Sequence, residues 1–177
     1  VAVPTAEAVL NAMAKVDSYF QASSDDKING YPNNDWTGGV YMAGLMAHYH
    51  ASKSASRRQQ LLEYGVQWGD SHGWQLAGYR GCHGSLGCPD NICAGQAFAE
   101  LSVQTSATHG QPNATMLAGV RNAIESAAQR ACAVNTNRSQ AKDSDECWWW
   151  VDALFMALPA YARVGALVDD DASAERI

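Results

Sequence analysis

Apolar residues recur at helical spacing in six successive stretches of this chain, and this periodicity is the strongest constraint on its fold. In the first stretch Val9, Met13, Val16 and Phe20 return every three or four residues, which places them on one face of an α-helix. No stretch alternates between polar and apolar residues over a strand's length, so we predict no strands. The six predicted helices cover, approximately, residues 5–20, 36–52, 56–69, 91–107, 112–132 and 145–168.

The six predicted helices are of two alternating kinds. The second, fourth and sixth are rich in small and aromatic residues around most of their surface, which is typical of helices buried on several sides. The first, third and fifth have a clear polar face, such as residues 57–60 of the third. Alternating short and long loops join them, so we expect an all-α fold of three helical hairpins. Both a toroid of α-hairpins and a plain bundle fit this pattern.

Length and charge narrow the class of protein. The chain has 177 residues, of which 47% are apolar, enough for one domain over residues 1–177 with a sizeable core. Its net charge is −6 and no basic stripe is present, which argues against nucleic acid or an anionic membrane as a partner. The most membrane-like stretch, residues 147–168, contains Asp152, Pro159 and Arg163. We therefore interpret it as a buried core helix.

Five cysteines indicate an oxidising compartment. We expect disulfides between Cys82 and Cys88 and between Cys132 and Cys147, because each would close a loop, and this leaves Cys93 free.

A zinc site is the alternative for part of this set. It would use Cys82, Cys88 and Cys93 with His72 or His83. These residues lack the usual C-x2-4-C spacing of structural zinc sites, so we favour disulfides.

Three carboxylates, Asp35, Asp90 and Asp152, stand near the beginnings of alternate predicted helices. Trp148 and Trp149 lie three or four residues before Asp152 and share its face. Such an apolar wall disfavours the ionised carboxylate, as a general acid requires, and indole rings offer flat surfaces to sugars. Two other roles stay open: Asp152 could bond to a neighbouring helix, and Asp35 and Asp90 could cap helices. In a toroid of hairpins the three helix beginnings converge on one pocket.

The histidines are less informative. His72 and His83 lie in the long Gly-rich segment before the fourth helix, where each fits a base, a ligand, a sugar contact or a plain loop residue. His48, His50 and His109 have no acidic or cysteine companion at a useful spacing. The sequence contains no nucleophile elbow, phosphate-binding glycine loop or HExxH motif.

Three longer runs contain the carboxylates: YPNNDWTGGVYMAGLMAHY, PDNICAGQAFAEL and WWWVDALFMALPAYARVGA. Together, over about residues 36–165, they resemble the unsaturated rhamnogalacturonyl hydrolases of glycoside hydrolase family 105, relatives of the unsaturated glucuronyl hydrolases. The resemblance implies an (α/α)6 toroid, of which this chain would hold about three hairpins. It also implies removal of 4,5-unsaturated galacturonic acid from the non-reducing end of pectin oligosaccharides by hydration of the vinyl ether, without a metal or another cofactor.

The resemblance also implies roles for individual residues. Asp152 matches the catalytic acid/base, Asp90 the second active-site carboxylate, and Trp36 an aromatic residue of the sugar pocket. Further substrate contacts are expected from Asp35, His83, Gln96, Trp148 and Trp149.

Two departures from the family pattern stand beside these matches. Asp90 is followed by Asn91 where the family commonly has a second Asp, and Cys88-Pro89 replaces a usual His-Ala. His83 is the candidate to replace the missing histidine. The second half of the toroid is not in this chain, and it is the expected partner.

The resemblance implies a secreted or periplasmic enzyme, and glycosylation sequons at Asn113 and Asn137 favour secretion. Two alternatives remain: a non-catalytic carbohydrate-binding or structural module of the same fold, and an unrelated disulfide-bonded helical bundle.

Overall fold

The computed structural model describes residues 3–22, 27–28, 31–32, 34–77, 89–106, 112–129 and 152–167. Over these residues the regular structure is helical, apart from one pair of two-residue strands. The elements are α1 (Ala6–Ala22), β1 (Lys27–Ile28), β2 (Tyr31–Pro32), α2 (Trp36–Ala51), α3 (Ala55–Ser71), α4 (Pro89–Ile92), α5 (Gly95–Gln104), α6 (Ala114–Gln129) and α7 (Asp152–Leu167).

The first three helices begin where the sequence predicts, and each begins at a capping side chain. Thr5 Oγ1 accepts the Ala8 N–H of α1 at 3.2 Å, and Ser54 Oγ accepts the Arg57 N–H of α3 at 3.2 Å. Asp35 caps α2. These side chains satisfy N–H groups that have no partner inside their own helix.

The fourth predicted helix is divided. We predicted one helix over 91–107, whereas the structure has α4 and α5 with a turn at residues 93–94 between them. At this turn the hydrogen bonds tighten: the Gln96 N–H bonds to Cys93 O at 3.2 Å and the Ala97 N–H to Ala94 O at 3.1 Å. Three-residue spacing is that of a 3₁₀ turn, and Gly95, a weak helix former, follows it directly.

The prediction of no strands was wrong for four residues. β1 and β2 pair in antiparallel fashion, with Lys27 opposite Pro32 and Ile28 opposite Tyr31. Each strand has only two residues, which is too short for an alternating pattern to be seen in the sequence.

The helices form an arc in which one packing relation repeats. α2 packs against α3 and α5, and α5 packs in turn against α6 and α7. The two buried helices α2 and α5 thus each contact the polar-faced helix and the buried helix that follow them in the chain. This agrees with the predicted fragment of an α/α toroid. The core lies between them, around Met42, Leu45, Phe98, Leu101 and Val120, all fully buried.

The two ends of the arc are apolar and open. α1 packs mainly on α2, and a groove of about 590 Å³ lies between these two helices. At the other end, α7 exposes about half of each of Leu154, Phe155 and Leu158. The exposed large hydrophobic side chains of the described residues all lie at these two ends: Val3, Val9, Val16, Tyr19, Val40, Leu154, Phe155 and Leu158.

α7 packs as a core helix along one face, as predicted. Ala157, Ala160 and Val164 are buried, while Arg163 is exposed. Within the described ranges, no helix is both long and apolar enough to cross a membrane.

Candidate active site

Asp35 lies at the very beginning of α2 and is completely buried, with 0% of its surface exposed. Its Oδ1 accepts the backbone N–H of Trp36. Its Oδ2 is buried and has no hydrogen-bond partner among the described residues, and the same holds for Thr37 Oγ1. The structure thus bears out the capping role for Asp35; its predicted contact with a sugar stays a prediction.

Asp90 lies in the first turn of α4, and the packing of α2 brings it close to Asp35. A Cβ at Gly39 would be only 2.7 Å from the backbone nitrogen of Ala94, so the two backbones touch where only glycine fits. The Gly39 N–H bonds back to Asp35 O at 2.8 Å, which puts Asp35 one helical turn below this contact. Asp90 lies one turn before Ala94, so the two carboxyl groups occupy the same side of the interface.

The electrostatics of this contact reflect burial and like charge. Desolvation is the main cause that raises the pKa of Asp35; the Trp36 N–H lowers it, and the charge of Asp90 raises it again. Burial, followed by the charges of Asp90 and Asp35, raises the pKa of the Cys93 thiol to about 12. Two carboxyl groups in one low-dielectric contact favour a state with a single negative charge.

Gln96 connects this contact to α7. Its Nε2 donates to the carbonyl oxygens of Phe155 at 3.1 Å and Met156 at 3.3 Å. Gln96 stands in the first turn of α5, and Phe155 in the first turn of α7. The beginnings of α5 and α7 therefore adjoin. The amide of Gln96 is occupied by the backbone of α7; its predicted contact with substrate is a separate prediction.

Asp152, the predicted acid/base, is the first residue of α7. It stands one turn before the carbonyl groups that Gln96 binds, which places the beginning of α7 next to that of α5. Its role as the acid/base stays a prediction. Trp36, the predicted aromatic contact, begins α2 and is partly buried.

Several predicted residues lie outside the described part of the chain: Cys82, His83, Cys88, Cys132, Cys147, Trp148 and Trp149. Cys93 is described, and it is a buried free thiol, the state predicted for it. No group of three His, Cys, Asp or Glu residues suited to a metal ion occurs within the described ranges.

A second polar cluster, remote in sequence, was missed. Asp17 of α1 is buried, and its Oδ2 lies 2.6 Å from His48 Nδ1 and 2.9 Å from Arg57 Nη2. The hydroxyl of Tyr41 donates to its Oδ1 at 3.4 Å. His50 likewise pairs with Glu100. Neither pairing could be expected from residue spacing, because the partners of His48 and His50 are 31 and 50 residues away.

Comparison with known proteins indicates the family to which the chain belongs. Neither the curated proteins nor the solved structures gave a match. A protein-family model described as Glycosyl Hydrolase Family 88 matches residues 11–177, a range that contains Asp35, Asp90 and Asp152. An arc of α-hairpins that brings Asp35 and Asp90 close together at two helix beginnings fits a six-hairpin glycosidase. The match and the fold agree, and the chain belongs to Glycosyl Hydrolase Family 88.

Proposed function

We propose that this glycoside hydrolase is of the unsaturated rhamnogalacturonyl type, similar to family 105. Its substrate would be a pectin (rhamnogalacturonan) oligosaccharide that carries 4,5-unsaturated galacturonic acid at its non-reducing end. The observation that carries the proposal is the family match over residues 11–177. The three sequence runs that resemble family 105 supply the finer substrate class.

The proposed reaction is a hydration rather than an attack on the anomeric carbon. Asp152 protonates C4 of the C4=C5 double bond, and water adds to C5 as it returns a proton to the carboxylate. The hemiketal at C5 then opens to a ketone, and the hemiacetal that this leaves at C1 breaks down to an aldehyde and releases the sugar. Asp90 would be the second carboxylate of the site. Because no carboxylate attacks the sugar, the carboxylate separation that distinguishes retaining from inverting glycosidases does not apply.

Substrate consumption tests this proposal directly. The ultraviolet absorbance of the unsaturated uronate falls as the double bond is hydrated, so we expect loss of absorbance with an unsaturated galacturonyl-rhamnose disaccharide. Asp152→Asn should abolish it, whereas Glu125→Gln on the exposed face of α6 should not change it. Faster consumption of an unsaturated glucuronyl disaccharide would contradict the rhamnogalacturonyl assignment. No consumption of either, with intact binding, would favour the non-catalytic carbohydrate-binding module.

We further propose that the open ends of the arc pack against the remaining helices of a six-hairpin toroid. The repeating packing relation supports this proposal. α2 lies against the pair α3 and α5, and α5 lies against the pair α6 and α7. By the same relation, a further helix would pack into the groove between α1 and α2 at the start of the arc. No helix of the described residues occupies this groove. The exposed stripe of α7, in turn, would contact the next hairpin.

Dye binding tests this completion of the toroid. We expect the 177-residue polypeptide to bind the fluorescent dye ANS at its apolar ends. A polypeptide extended through the downstream reading frame should bind much less, because the ends would be covered. A downstream frame without further apolar helices would contradict the proposal.

Secretion or export to the periplasm is the proposed location, with Cys82–Cys88 and Cys132–Cys147 as disulfides. The buried free thiol of Cys93 is compatible with this pairing. Titration of the unfolded, unreduced chain should then detect one thiol per molecule. Five reactive thiols would contradict both disulfides and remove their support for an oxidising compartment.

A further inference from the structure

Asp35 and Asp90 form a pair whose members differ in accessibility. Asp35 is entirely enclosed, while Asp90 is partly buried. The close approach of Gly39 to Ala94 holds the two helix beginnings together. The backbones that carry the two carboxyl groups cannot move apart without separating α2 from the turn between α4 and α5.

The enclosed carboxyl group lacks the partners that an ionised one needs. Oδ1 has the Trp36 N–H, but Oδ2 has no donor among the described residues. A buried carboxylate oxygen without a donor or cation loses its hydration without replacement, which is costly. A protonated Oδ2 avoids that cost, because a neutral carboxylic acid is much less strongly hydrated.

No positive charge among the described residues compensates Asp35. Among the described residues, the titratable group that acts on Asp35 is Asp90, which is negative, and the thiol of Cys93 faces both. Burial and these charges keep the thiol neutral. Of two coupled acids, the more deeply buried one keeps the shared proton.

We propose that Asp35 is a positioning residue that holds the proton of this pair. The enclosed Asp35 keeps this proton to higher pH than Asp90 does, so Asp90 is the member that carries the negative charge at the beginnings of the helices. Because none of its surface is exposed, Asp35 would act through Asp90, and this proposal replaces the sugar contact expected for Asp35 from the sequence. The use of this charge in vinyl-ether hydration rests on the proposed function; the assignment of the proton does not.

The pH dependence of stability tests this assignment without an activity assay. A folded-state pKa above the ordinary 3.8 means that the folded chain binds the proton more tightly than the unfolded chain. The corresponding stability is present below 3.8 and is lost as pH rises through the raised value. Asp35→Asn keeps the cap and cannot ionise, so it removes this loss.

We therefore expect the urea midpoint of Asp35→Asn to rise relative to that of the wild type as pH increases from about 4. The difference should level off once Asp35 is ionised in the folded wild type as well. Measured in an Asp90→Asn background, the same difference should level off at lower pH, because the like charge that raises the pKa of Asp35 is gone. Ser54→Ala, which removes the cap of α3, should give a difference that does not change with pH.

Two results would overturn the proposal. A difference that stays flat with pH would mean that folding does not perturb Asp35, and a difference that moves against the variant would mean that Asp35 is ionised in the folded chain. Should Asp35→Asn fail to fold, Asp35→Ser retains a capping oxygen and gives the same readout. Absence of hydration activity in the wild type would refute the proposed function and leave this test intact.

Discussion

Two buried aspartates of this chain, Asp17 and Asp35, are in opposite electrostatic situations. Asp17 is paired with His48 and Arg57 and accepts a hydrogen bond from Tyr41. Asp35 has one backbone N–H, a second oxygen without a partner among the described residues, and Asp90 as its charged neighbour. The two side chains are similarly buried, but the charge of Asp17 is balanced by its partners and that of Asp35 is not balanced by any described residue.

The difference separates a structural role from a candidate functional one. Asp17 is the one residue of α1 that is buried, and its three partners come from α2 and α3. It therefore holds α1 on the arc. The pair of Asp35 and Asp90 contributes no comparable attraction, because both members are acids and neither supplies a positive charge to the other. Uncompensated buried acids of this kind concentrate at active sites, where altered proton affinity serves the chemistry.

Asp17→Asn should have the largest effect on stability. Removal of the carboxylate leaves the buried His48 without its hydrogen-bond partner and the partly exposed Arg57 without its counter-charge, which costs about 3 kcal/mol in the free energy of unfolding. This is the lower end of the usual range, because Arg57 is partly exposed. Urea denaturation measures it. A loss below about 1 kcal/mol would show that the cluster behaves like a surface ion pair and would erase the contrast with Asp35.

Gly39→Ala should have the next largest effect, and Gly44→Ala supplies the matched control in the same helix. The added methyl group at Gly39 would meet the backbone of Cys93 and Ala94, and such overpacking costs about 1–3 kcal/mol. At Gly44 nothing lies within 4 Å, so alanine should stabilise the chain by about 0.5–1 kcal/mol.

Equal effects at the two glycines would contradict the close approach of α2 to the turn at residues 93–94. Thermal denaturation of both variants decides this. The same variants bear on the Asp35 pair: Gly39→Ala should also weaken its coupling to Asp90, whereas Gly44→Ala should leave that coupling unchanged.

The sequence predicted the local features of the fold better than its long-range contacts. Capping by Asp35 was one of the roles that its position beside an apolar repeat left open, and the structure shows it. The division between α4 and α5 was missed; its turn lies against Gly39, which belongs to a helix more than 50 residues away.

The same limit applies to the candidate site. Proximity of Asp35 and Asp90 was expected from the alternation of helices, because a repeated hairpin brings equivalent ends together. The Asp17 cluster was missed, since its partners lie 24, 31 and 40 residues away and no repeat relates them. A buried acid in an otherwise exposed amphipathic helix leaves no pattern in the sequence itself.

Tyr41→Phe should have a smaller, pH-dependent effect. It removes a 3.4 Å hydrogen bond to Asp17, which we expect to cost about 1 kcal/mol at neutral pH. Burial, then the charges of Asp17 and Tyr64, raises the pKa of Tyr41 above its ordinary 10.0. The stability that comes from the protonated hydroxyl is lost as pH rises above that ordinary value. The deficit of Tyr41→Phe should therefore shrink in alkali; a constant deficit would contradict the burial of the hydroxyl beside Asp17.

The exposed pair of Arg121 and Glu125 completes the series with the smallest expected effect. Arg121 Nε donates to Glu125 Oε1 at 2.8 Å, one turn away on α6, and both side chains are nearly half exposed. Water and salt screen such a pair, so Glu125→Gln should change the free energy of unfolding by about 0.3–0.5 kcal/mol. This small change should fall further at high salt, whereas the deficit of Asp17→Asn should persist, because the buried cluster is shielded from ions. If both variants lost the same fraction of their effect in salt, burial of Asp17 would not distinguish its contacts from those on the surface.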